Sequence, residues 1–189
     1  MCGIGGIVRL GNRPIRPWQL KHMATELQHR GHDATGFAIM DVDGRIQVWK
    51  DASPAWKAVA LQSFEKWLAM ALTDRARIAL VHTRQYTKGS PNNNENNHPL
   101  FADTKQGVVI HNGMVRNDDA LFAANKEHPA FKRSCVTDSD IFRAVLDRRR
   151  TRHRDPGDPY PTERPPPVGM GKKPRRAENQ PPAFPRHCL

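Results

Sequence analysis

Apolar positions in this chain recur with two different periods, and the change from one to the other marks its predicted elements. Residues 2–10 are a short apolar run interrupted by Gly5 and Gly6, which reads as a strand with room for another backbone or a ligand beside it. Pro14 and Pro17 break the chain, Pro17 being well placed in a first helical turn, and Leu20, Met23, Ala24 and Leu27 then recur at helical spacing. The spacing predicts a helix over 18–29 with its apolar stripe inward and His22 on its solvated side. Phe37-Ala38-Ile39-Met40, the turn pair Asp43-Gly44 and the following Ile46, Val48 and Trp49 predict a hairpin over 35–50. Ser53 or Asp51 is placed to cap a helix starting near Pro54, in which Trp56, Val59, Ala60, Phe64, Trp67, Leu68 and Leu72 keep one period and read as core.

A second apolar strand over 77–83 ends in His82-Thr83-Arg84, and residues 85–98, polar and Asn-rich with Gly89 and Pro91, read as a surface loop of functional length. Another strand over 107–110 runs into His111-Asn112-Gly113, where Asn-Gly on local grounds reads as a hairpin turn. Asn117 is placed to cap a short helix through Leu121 and Phe122, and Thr137 or Asp138 to cap one through Ile141, Val145 and Leu146.

Composition changes the picture mainly at the end of the chain. The 189 residues suffice for one domain with a real core. Residues 148–189 hold eleven basic and four acidic residues, so they carry +7 of the net +11, and ten of the sixteen prolines lie over 156–185. The pI of 10.1 describes this tail and not the body. Apolar periodicity stops after Asp147, so a body over 1–147 is expected to precede a basic Pro/Arg-rich tail that cannot bury a core of its own and is disordered. The Arg/Pro/Gly bias of 148–189 is what a GC-rich gene yields out of frame, and the expectation is that the native sequence ends near Asp147 through a frameshift or truncation.

Three cysteines, Cys2, Cys135 and Cys188, form neither a disulfide framework nor a CxxC pair, which implies a reducing compartment. No run approaches the roughly 18 apolar residues of a membrane span, and the basic-then-apolar layout of a signal peptide is missing, so a cytoplasmic location is expected. Neither composition nor spacing calls for a cofactor, and the histidines match no standard metal-ligand spacing.

Candidate chemistry begins at Cys2. Removal of Met1 would leave a thiol and a free α-amine on one residue, with ordinary pKa values of about 8.5 and about 7.7–8.0, a complete nucleophile-plus-base unit. An ordinary buried small residue opening a strand is the other reading, and the position alone leaves both open. Polar clusters at several strand ends bear on the choice: HRGHDATG (29–36), HTRQYT (82–87), NHP (97–99), HNG (111–113) and TDSD (137–140).

Together with the opening Met-Cys-Gly-Ile, and in this order, these motifs resemble the class II glutamine amidotransferases, N-terminal-nucleophile hydrolases that include the glutaminase domain of glucosamine-6-phosphate synthase. The resemblance covers about residues 2–147. It implies an α+β fold, a four-layer αββα sandwich of two antiparallel sheets, and hydrolysis of L-glutamine to glutamate and ammonia. It also implies site residues. Cys2 matches the family nucleophile, Asn112 and Gly113 its oxyanion hole, and Arg30 an arginine that orients the cysteine. Arg84 matches the residue that pairs with the substrate α-carboxylate and Asp138 the one that receives the α-ammonium, while Thr87 stands where a hydroxyl assists with substrate. Asp33 and Gly36 are expected to shape the loop, and His82, His98 and His111 to flank the site without a general-base role.

Two departures from the family qualify these expectations. Gln85 follows Arg84 where many relatives carry Trp, so loop closure over glutamine is expected to differ. The family's domain continues past the TDSD helix with strands that complete the second sheet, and none is readable here, so the sandwich is expected to be incomplete on its C-terminal side. The implied partner is a separate synthase or transferase subunit that accepts the ammonia. Two rival readings are a non-catalytic protein whose basic tail contacts nucleic acid, which lacks the interleaved aromatics for base stacking, and an N-terminal-nucleophile hydrolase acting on another amide, against which Arg84 and Asp138 argue.

Overall fold

The computed structural model describes residues 1–102 and 107–152. Its centre is a four-stranded antiparallel sheet in the order β1-β4-β2-β3, formed by β1 (Gly3–Val8), β2 (Ala34–Asp41), β3 (Ile46–Asp51) and β4 (Ala76–Arg84). The β2–β3 hairpin forms as its alternation predicts, turning at Gly44 with φ +81°, a left-handed value that glycine adopts without steric cost. Central β4 pairs β1 with Gly3 opposite Thr83 and pairs β2 with Ala34 opposite Arg84.

One face of this sheet carries the core. Phe37, Ile39, Ala79 and Val81 point towards helix α1 (Pro17–Leu27) and helix α3 (Gln62–Ala71), which bury Leu20 and Ala24, and Phe64, Trp67, Leu68 and Ala71. Pro17 opens α1, and three residues of 3₁₀ turn, Gln28–Arg30, complete the predicted helix. The rings of Phe37, Trp49, Phe64 and Trp67 pack together, with Phe64 tilted against Phe37 at 4.7 Å and edge-on to Trp49 at 5.0 Å between centroids, so aromatic terms of about 0.5–1.5 kcal/mol per pair add to the burial.

The single helix expected from Pro54 onward is two helices. Helix α2 (Ala55–Ala58) ends at Val59, and Leu61, extended at ψ 135°, starts α3. The apolar period survives the break because Val59 and Leu61 pack against the same core as Phe64 and Trp67. Neither expected cap acts: Pro54 occupies the cap position, and the Ser53 hydroxyl bonds Asp51 instead. Trp56 is 62% exposed and so is not core.

The other face of the sheet is apolar but only partly covered by described residues. Val108 of β6 (Val108–Val109) shares a cleft of about 200 Å³ with Ala38, Met40, Ile78 and Leu80. β6 pairs antiparallel with β5 (Leu100–Phe101), which the sequence did not reveal because two residues carry no period. The protein is thus α+β with antiparallel sheets.

Asn112-Gly113 is not the expected hairpin turn. Only two strand residues precede it, and Gly113 lacks the positive φ that a primed turn requires. The expected surface loop over 85–98 is exposed in its first half, but Asn96, Asn97 and His98 are buried. Helix α4 (Asp118–Ala124) starts after Asn117 as predicted, although without a bond from the Asn117 side chain. Helix α5 (Asp140–Arg152) carries the buried Arg143, paired with Asp140 at 2.6 Å and with Asp147 at 3.0 Å. Of the expected tail, residues 153–189 lie outside the described residues.

Candidate active site

Strand register brings the chain's polar clusters to one end of the sheet. Since Gly3 faces Thr83 and Ala34 faces Arg84, Cys2, the end of β4 and the 29–34 turn converge there. Two close backbone approaches hold the convergence. A Cβ on Gly31 would stand 2.4 Å from the Arg84 carbonyl carbon, and one on Gly36 only 1.9 Å from the His98 oxygen. Both glycines of HRGHDATG are therefore packing requirements. Asp33 adds two bonds to the same junction, its backbone N–H donating to the Arg84 carbonyl at 2.9 Å and its carboxylate accepting from Tyr86 N–H at 2.9 Å.

Cys2 is half-buried, with Sγ 3.6 Å from the Gln85 carbonyl oxygen. Arg30 Nε donates to the Cys2 carbonyl at 3.1 Å, and Cys2 N–H donates to Asn112 Oδ1, also at 3.1 Å. With Met1 attached, that nitrogen is a peptide N–H, standing where the α-amine would be after Met1 is removed. Because Asn112 uses its oxygen on Cys2, its amide NH₂ is left without a partner among the described residues, as is the Gly113 backbone N–H. Arg30, Cys2 and Asn112 thus form one hydrogen-bonded row, with two free donors beside the thiol-bearing residue.

The segment around Asn112 is anchored from both sides. His82 Nε2 lies 3.1 Å from the His111 carbonyl oxygen, to which it must donate, and His111 Nδ1 lies 3.0 Å from Ser139 Oγ. The His98 ring packs on His82 with centroids 4.4 Å apart. Burial pushes the pKa of His82 down to about 4 and that of His98 well below its ordinary value, so both rings are neutral packing elements at physiological pH.

Arg84 is almost fully buried. Its Nη1 donates to Asn97 Oδ1 at 2.7 Å and its Nη2 to the carbonyls of Lys88 at 2.7 Å and Gly89 at 2.8 Å. Burial lowers its pKa while the charges of Cys2, Asp33, Cys135 and Asp138 raise it, and a guanidinium stays charged under those conditions. Three of its N–H bonds therefore fold the 85–98 loop, and its Nε–H is uncommitted among the described residues. Asp138 accepts from Val115 N–H at 2.6 Å and lines, with Thr87, a cleft of about 440 Å³.

The seven residues named from the sequence fall into two groups. Cys2, Arg30 and Asn112, with Gly113 next to them, are joined by hydrogen bonds, and Thr87 and Asp138 share the cleft. Arg84 lies under the loop that connects the two. Sequence reading gave no role to Asn97, which besides Arg84 holds the Pro91 carbonyl at 2.7 Å; the NHP motif was its only signal. Nor did it find the cluster in which Lys88 and Arg133 converge on the buried Asp118, since an acid in a first helical turn has an ordinary local reading. Among the described residues no three His, Cys, Asp or Glu side chains gather as a metal site, and no helix is long and apolar enough to cross a membrane.

No family model matches the chain. Curated proteins do. Glutamine--fructose-6-phosphate aminotransferase of Rhizobium meliloti is 33% identical over 154 residues, which cover 79% of this chain and 22% of the relative. The enzyme of that name from Pseudomonas aeruginosa is 33% identical over 121 residues, 64% of this chain and 18% of the relative. That from Bacteroides thetaiotaomicron is 28% identical over 154 residues, 82% of this chain and 23% of the relative. The chain spans about a fifth of the length of these relatives. Over most of its length the chain is thus similar to curated glutamine--fructose-6-phosphate aminotransferases, in keeping with the resemblance of its motifs to the class II glutamine amidotransferases.

Proposed function

We propose that residues 1–147 are a glutaminase domain that hydrolyses L-glutamine to glutamate and ammonia through a thioester on Cys2. The observation that carries this reading is the bond from the Cys2 nitrogen to Asn112 Oδ1, which joins a would-be N-terminal nucleophile to a carboxamide with free donors. After Met1 is removed, the α-amine of Cys2 takes the thiol proton, and Sγ attacks the side-chain carbonyl carbon of glutamine. The oxyanion that forms accepts from Asn112 Nδ2 and Gly113 N–H. Collapse expels ammonia, which leaves with the proton held by the amine, and water cleaves the thioester to release glutamate and restore the thiol.

Arg30, bonded to the Cys2 carbonyl, orients the nucleophile. Free glutamine is selected by its charged end: Arg84 supports the α-carboxylate, Thr87 adds a hydroxyl, and Asp138 receives the α-ammonium in the cleft that it shares with Thr87. The architecture we assign is the αββα sandwich, with α1 and α3 on one face of the central sheet and β5–β6 on the other. The location we assign is cytoplasmic. The relatives' name couples glutamine to fructose 6-phosphate. For this chain the ammonia is assigned to a synthase or transferase activity that accepts it.

Ammonia release from glutamine tests the reading, using protein whose loss of Met1 is verified by intact mass. The parent is expected to release ammonia and Cys2→Ala to lose at least about 10³-fold in rate. Equal release by the two proteins overturns it.

A further inference from the structure

Lys88 lines the cleft of Thr87 and Asp138, and its contacts run in two directions from there. Its backbone carbonyl is held from below by Arg84 Nη2 at 2.7 Å. Its ammonium reaches the opposite way, 2.6 Å from Asp118 Oδ2 and 3.0 Å from Asp119 Oδ2, at the start of helix α4. Asp118 and Asp119 follow the Asn112-Gly113 segment by a few residues, and both line the cleft of Thr87 and Asp138. One side chain therefore bridges the loop after β4 and the start of helix α4, both on the cleft side of the site.

Exposed ion pairs hold little, but Asp118 is not exposed: its side chain is 3% accessible. Burial pushes its carboxyl pKa up, yet hydrogen bonds from Lys88 and Arg133 outweigh that and keep it below the ordinary carboxylate value. The same bond raises the pKa of Lys88. Arg133 Nη2 also contacts Asp118, at 2.7 Å. Removing Lys88 thus leaves the buried carboxylate paired and the fold supported, while the loop loses its outer tie. Arg133, in a different segment, cannot replace that tie.

We propose that Lys88 is a positioning residue for the amino-acid end of the substrate, an ionic clasp that fixes Thr87 and the 84–89 turn opposite Asp138. The proposal rests on the reading that the Thr87–Asp138 cleft takes the charged end of glutamine. It predicts an effect on substrate binding more than on turnover, because the Cys2–Asn112 row lies outside the clasp.

The test compares parent, Lys88→Met and Lys88→Arg as full chains with Met1 removed, by amide hydrogen exchange over residues 85–92 and by glutamine kinetics. Lys88→Met is expected to speed exchange in that segment about ten-fold with β4 unchanged, and to raise KM about ten-fold with kcat within about three-fold. Lys88→Arg, which keeps the charge and reach, is expected to restore both. Parent-like exchange in Lys88→Met overturns the proposal, as does a fall in kcat at constant KM. A parent that releases no ammonia overturns the glutaminase reading, and the exchange comparison then decides the clasp alone.

Discussion

Asn112 holds the backbone nitrogen of Cys2 at 3.1 Å across 110 positions of sequence, and it does so with its oxygen. That polarity decides what the other end of the amide can do. With Oδ1 fixed by an N–H donor, Nδ2 must face away as a donor, the role an oxyanion requires. Asn112→Ala is expected to lower kcat about 10²–10³-fold. Asn112→Asp keeps the acceptor but replaces the donor by a second oxygen, and is expected to lose at least as much. Steady-state kinetics with glutamine, with thermal unfolding as a check on folding, reads both.

Gly36 tests the close approach that places the His98 segment under β2. Its missing Cβ would meet the His98 oxygen at 1.9 Å, and a backbone atom of a buried segment cannot swing aside as a side chain tip can. Gly36→Ala is expected to cost about 1–3 kcal/mol or more of stability, measured by urea unfolding. An unchanged midpoint would mean that the two segments are not in contact.

The packed pair His82 and His98 predicts an acid limb. Both rings are buried and their pKa values depressed, His82 from 6.5 to about 4. Above pH 6.5 the rings are neutral in folded and unfolded chains alike, and they impose no pH dependence. As pH falls from 6.5 towards 4 the unfolded chain takes up protons that the folded one refuses, so stability drops across that window. His82→Phe should flatten this limb in unfolding free energies measured between pH 4 and 8. A parent whose stability is constant over the window would contradict the assignment of neutral rings.

Legibility of this chain followed the range over which each interaction repeats. The β2–β3 hairpin could be read because alternation and an Asp-Gly turn are local and redundant, and α1 because Leu20, Met23, Ala24 and Leu27 sit on one stripe. The break between α2 and α3 was hidden because Val59 and Leu61 keep facing the core on either side of it. Asn112 was singled out through its motif, while the local reading of Asn-Gly as a hairpin turn pointed elsewhere. Lys88–Asp118 joins residues 30 positions apart with no pattern in either neighbourhood, so only the folded chain reveals it.

The register of Gly3 against Thr83 has a practical consequence for anyone handling the protein. Sheet pairing starts one residue after Cys2, which leaves no slack between the thiol and the rigid frame. An N-terminal purification tag therefore cannot be accommodated by a shift of the first strand, and it would keep acylated the very nitrogen that Asn112 holds. Tags belong at the other terminus, and on the glutaminase reading a preparation with a blocked front end is expected to be inactive.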